Sequence, residues 1–176
     1  MRKMLFRAMA LFMAATMSIS LAGCGDDKDD PVDPAKKTET VVVDYSMSLS
    51  PDYYELWDIE VSYTNPGGTT TTVTTPIDWK YELNLQTADE IPSKYAFTVT
   101  AKPKATAPAL EADKIYTLSS ECFVKITCLS SEGTVLKTGG MVVPKTETKS
   151  TSGSHLEEAV KADRKIFSGE FTVAID

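Results

Sequence analysis

The chain has 176 residues, with 18 Lys and Arg against 25 Asp and Glu and a net charge of −7. That balance argues against a nucleic-acid partner, which calls for a basic face. One His and three Cys rule out a disulfide-dense miniprotein and make a zinc centre or a His-based triad hard to build. The 42% hydrophobic content is enough for a packed core and too high for a disordered chain.

Residues 1–23 read as an address. Arg2, Lys3 and Arg7 stand alone as charges, and the apolar run Ala8–Leu21 follows them. A basic start and a short apolar run mark a secretory signal peptide, and the run is shorter than the roughly 20 residues a spanning helix needs. It ends in Leu21-Ala22-Gly23-Cys24, which resembles the lipobox of bacterial lipoproteins. Small residues at 22 and 23 let the backbone enter a peptidase cleft. The resemblance implies that Cys24 becomes the diacylglyceryl-modified N-terminus, so that membrane lipid is a partner through this one residue. An ordinary signal peptide with an incidental Cys is the alternative. Two or three acyl chains hold a protein at a bilayer almost permanently, each buried CH₂ contributing about 0.8 kcal/mol.

Residues 24–38 read as a flexible tether. Asp26, Asp27, Asp29, Asp30 and Asp33, with Pro31 and Pro34, leave almost nothing to bury, and self-repulsion extends such a segment. An acidic cluster directly behind the lipidated Cys resembles the surface-export signal of Bacteroidetes lipoproteins. It implies a lipid-anchored outer-membrane protein facing outward, with a plain spacer and a periplasm-facing location as the competing reading. Removing three basic residues with the leader takes the net charge from −7 to −10.

Residues 39–176 alternate with the period of strands. Val41, Val43, Tyr45, Met47 and Leu49 form one apolar row, and Trp57, Ile59, Val61 and Tyr63 form another. Asn65-Pro66-Gly67-Gly68 is turn chemistry, with Thr69–Thr75 returning as a hairpin arm. Trp79, Tyr81, Leu83 and Leu85 make a third row, and Tyr95, Phe97, Val99 and Ala101 a fourth. A long strand is predicted over Ile115–Leu129 and another over Thr134–Val143, where Gly139-Gly140 suggests a bulge or a close backbone approach. The last strand alternates Phe167, Gly169, Phe171, Val173 and Ile175. Ser154 to Glu157 has capping-box spacing, predicting a short helix from about His155 to Asp163 before that strand. About eight short strands, each with one apolar face, are most economically covered in an antiparallel β-sandwich.

The segment from Pro51-Asp52-Tyr53-Tyr54 through Trp57-Asp58-Ile59-Glu60-Val61 to Tyr63-Thr64 is similar to one in small Bacteroidetes outer-membrane lipoproteins of uncharacterised function. Thr75 to Trp79 with the strand behind it is similar too. The resemblance implies an immunoglobulin-like sandwich and an exported lipoprotein. It brings no catalytic residues.

Candidate chemistry is sparse. Cys122 and Cys128 share a strand face with Val124 and Ile126, with Cα atoms about 20 Å apart. That exceeds the roughly 7 Å a disulfide tolerates. They read as small buried hydrophobes, with a regulatory or metal thiol as the alternative. His155 has only Glu157 and Glu158 near it in zinc-like spacing and reads as an exposed helix-start residue. Ser152 and Ser154 lie beside it without a nucleophile-elbow motif. Trp57 and Trp79 fall in phase with inward rows, and Tyr53, at the Pro51-Asp52 turn, is the aromatic expected to stay exposed. The run Thr69–Thr72 reads as a solvated or edge β-arm, with a modification site as the alternative.

The expected protein is a non-enzymatic, lipid-anchored envelope module that works by contact, with no cofactor, no metal and an unspecified protein or glycan partner. A glycan-binding accessory lipoprotein of a nutrient-uptake system and a small secreted hydrolase are the alternatives.

Overall fold

A computed structural model describes residues 37–75, 78–87 and 89–175. Nine strands are formed among them: β1 (Thr40–Leu49), β2 (Trp57–Thr64), β3 (Thr70–Thr74), β4 (Trp79–Leu85), β5 (Tyr95–Pro103), β6 (Ile115–Leu129), β7 (Val135–Gly140), β8 (Lys145–Ser152) and β9 (Arg164–Phe171). One sheet runs β4-β1-β6-β7, with β8 also paired to β6, and the other runs β3-β2-β5-β9. All pairings are antiparallel. The fold is an all-β sandwich.

Its core follows from the period-two rows. Val41, Val43, Tyr45, Met47 and Leu49 of β1 face inward with Cys122, Val124, Ile126 and Cys128 of β6. Opposite them lie Trp57, Ile59 and Val61 of β2 and Tyr95, Phe97 and Val99 of β5, all in one continuous cluster. The Tyr45 ring sits 5.5 Å from that of Phe97, and its hydroxyl donates to the Thr64 carbonyl oxygen at 3.1 Å. That bond ties one sheet to the other.

β6 is the spine of its sheet. One of its edges is filled by β1. The other is filled in two stages, by β7 opposite Lys125–Leu129 and by β8 opposite Ile115–Cys122. Between Gly140, opposite Lys125, and Lys145, opposite Cys122, four residues face two, so Met141–Pro144 bulges out of the edge. Gly140 has φ of +89°, and a Cβ there would collide with the Val124 carbonyl oxygen. This is the bulge that the glycine pair suggested, and Gly139 supplies the close approach, packing against Val173 and Thr172 of the chain beyond β9.

Five expectations are corrected. The strand read as Thr134–Val143 ends at Gly140, and a ninth strand, β8, follows it. Its residues Lys145-Thr-Glu-Thr-Lys-Ser carry no apolar row, because the strand is held by main-chain bonds to β6. The helix expected from His155 to Asp163 is two 3₁₀ turns, Gly153–His155 and Ala159–Lys161. Ser154 does not cap, since its hydroxyl bonds that of Ser152 at 2.9 Å. An α-helical turn, α1 (Pro51–Leu56), forms instead at the start of β2. It buries Tyr53, which is 3% exposed and not the surface aromatic expected. Finally, the last strand stops at Phe171, and a register shift opposite Val99 and Thr100 lets adjacent Ile166 and Phe167 both turn inward.

Candidate functional site

Strand register decides what the outer face of the β4-β1-β6 sheet displays. Because paired residues share a face, Glu82, Asp44 and Lys125 form one transverse row, and Lys80, Ser46 and Phe123 form the next. Ser48 and Glu121 continue the array one step further. Phe123 is the outward aromatic of β6, flanked in sequence by buried Cys122 and Val124, and its ring is not part of the core cluster.

Three shallow clefts run along this face. A cleft of about 440 Å³ is lined by Asp44, Ser46, Lys80, Glu82 and Phe123 among others. A second, of about 430 Å³, lies on the other side of Phe123, between Lys125, Thr138 and the bulge residues Met141 and Val142. A third, of about 300 Å³, is bordered by hydroxyls of Ser48, Ser50, Ser119, Thr146 and Thr148. Phe123 is therefore the shared wall of the two larger clefts. Val142, 97% exposed, stands at the rim.

The carboxyls here are coupled. Burial, then repulsion from Glu82, pushes the Asp44 carboxyl above its ordinary value, and a hydrogen bond with Glu82 acts in the same direction while Lys125 opposes it. Asn84 donates to Glu82 at 2.9 Å.

The residues singled out in the sequence fall elsewhere. Leu21, Ala22, Gly23, Cys24, Asp26, Asp27, Asp29 and Asp30 lie outside the described residues. Cys122 and Cys128 are buried and not bonded to one another; burial pushes the Cys122 thiol up to about 12, which leaves it unreactive as a nucleophile. His155 is exposed, with Nδ1 3.1 Å from the Ser152 hydroxyl, and Glu158 is engaged by Lys161 at 2.7 Å. Among the described residues no group of three or more His, Cys, Asp or Glu could hold a metal ion.

The aromatics divide unexpectedly. Trp57 is buried, as its phase predicts, and Trp79 is only partly so. Tyr81 is 38% exposed and sits at the sandwich margin, its ring 4.7 Å from that of Tyr63. Phe123 was legible in principle, since the inward row of β6 uses even positions and leaves it outward. Its partners Asp44 and Glu82 were not, because they come from two other strands. Neither protein-family models nor curated proteins give a match to this chain.

Proposed function

We propose that this protein is a lipid-anchored envelope lipoprotein whose immunoglobulin-like sandwich works as a non-enzymatic contact module at the outer-membrane surface. Leu21-Ala22-Gly23-Cys24 at the end of an apolar run carries the reading. The anchor proposed is acyl, on Cys24; among the described residues no helix is long and apolar enough to cross a membrane. The acidic stretch Asp26–Asp33 would hold the body away from an anionic bilayer surface. A sandwich core that spans both sheets suits this role, because it presents fixed faces without needing a partner to order them.

Metabolic labelling tests the anchor. Cells fed an alkyne-tagged fatty acid are expected to label the wild-type chain, and Cys24→Ser is expected to remain unlabelled. Labelling that survives the substitution overturns the anchor. Protease added to intact cells is expected to remove the body, and full protection would overturn the surface location.

The glycan-binding alternative is favoured by a specific observation, the outward Phe123 ring between clefts carrying Asp44, Glu82 and Lys125.

A further inference from the structure

We infer that the outer face of the β4-β1-β6 sheet binds an extended, uncharged polysaccharide, with the Phe123 ring as its stacking platform. The inference rests on reading the body as a contact module and is independent of the acyl anchor.

The chemistry of the face selects the ligand. A sugar ring presents a flat patch of C–H groups and a rim of hydroxyls. The first packs on an aromatic face, and the second needs donors and acceptors close together. Phe123 supplies the one, and the adjoining rows supply the other: Asp44 and Glu82 as acceptors, Lys80 and Lys125 as donors, Ser46 as both. The clefts on either side of Phe123 provide for residues before and after the stacked one. The third cleft, bordered by Ser48 and Thr146, extends the track along the same face.

Charge and geometry disfavour other occupants. Asp44, Asp78, Glu82 and Glu121 outnumber Lys80 and Lys125 on this side of the sheet, so a polyanion is repelled. An extended peptide adds to a sheet edge, where main-chain groups are open, whereas the two larger clefts here meet at a side chain, Phe123, on the face of the interior strand β6. The face is also too polar to be a buried apolar interface.

Affinity electrophoresis of the full-length protein, extracted with its acyl group, tests this in gels containing dextran, β-glucan, xylan, galactomannan or polygalacturonate. Retardation by at least one neutral polysaccharide is expected. Phe123→Ala is expected to weaken it at least about tenfold, Phe123→Trp to retain it, and Lys94→Ala, beside Glu170 of the opposite sheet, to leave it unchanged. Circular dichroism of each variant checks that the fold persists. Unretarded migration in every neutral gel, retardation by polygalacturonate alone, or equal retardation of Phe123→Ala would overturn the site. Those results would leave labelling at Cys24 untouched. New reducing ends in the gel would instead overturn the non-enzymatic reading.

Discussion

Two of the strands flanking β6, β1 and β8, are opposites. On one edge β1 buries every second residue, from Val41 to Leu49. On the other, β8 pairs along eight residues and leaves Lys145–Ser150 exposed. Both are antiparallel and both are in register with the same strand, yet only one contributes to the core. Lys145, Glu147 and Lys149 lie on the inward side of β8, opposite Cys122, Ser120 and Leu118. Lys145 reaches the Phe167 ring, 5.8 Å from its centroid. Inward charges on an edge strand deter pairing with another chain. The comparison teaches that an interior strand is specified by what it buries, whereas an edge strand is specified by the free ladder it completes.

The widest gap is expected between one substitution on each side. Met47→Ala in β1, at a site 3% exposed, should cost about 2–5 kcal/mol. Thr148→Ala in β8 should stay within about 0.5 kcal/mol. Urea unfolding of both variants checks this, and equal losses would erase the distinction. Gly140→Ala comes next. It places a side chain at positive φ against the Val124 carbonyl, so strain of about 1–3 kcal/mol is expected. Hydrogen exchange should show the loss first in β7 and β8, and uniform loosening would argue that the bulge is not a separate element.

The smallest effect concerns the outer face of β1. The fold raises the Asp44 carboxyl above its unfolded value, through burial and Glu82 and against Lys125. The native state therefore holds this proton more tightly than the unfolded chain. Its contribution to stability is fully present below the unfolded pKa and is lost as pH rises through the folded one. Asp44→Asn should accordingly melt higher than wild type at about pH 7, with the gain closing towards about pH 3. A constant difference across that range would show that Asp44 ionises as it does in the unfolded chain.

Legibility followed burial. The inward rows of β1, β2, β5 and β6 could be read residue by residue, because burying one face enforces alternation, and β6 was expected over the range it occupies. Tyr53 misled because Pro51-Asp52 signals a turn, whereas the turn is the first of a helix whose Tyr53 and Leu56 pack inward. For the candidate site, the outward phase of Phe123 was in the chain, but its neighbours were not.

By itself the amino-acid sequence determined the class of the fold, the inward rows and the need for glycine near the end of β7, since these depend on local periodicity and backbone freedom. Only the tertiary structure decided that a wholly polar stretch becomes β8, and that Asp44, Glu82 and Phe123 from three strands share one face. Cross-strand register sets those neighbours, and register is a property of the assembled sheet that no single segment encodes.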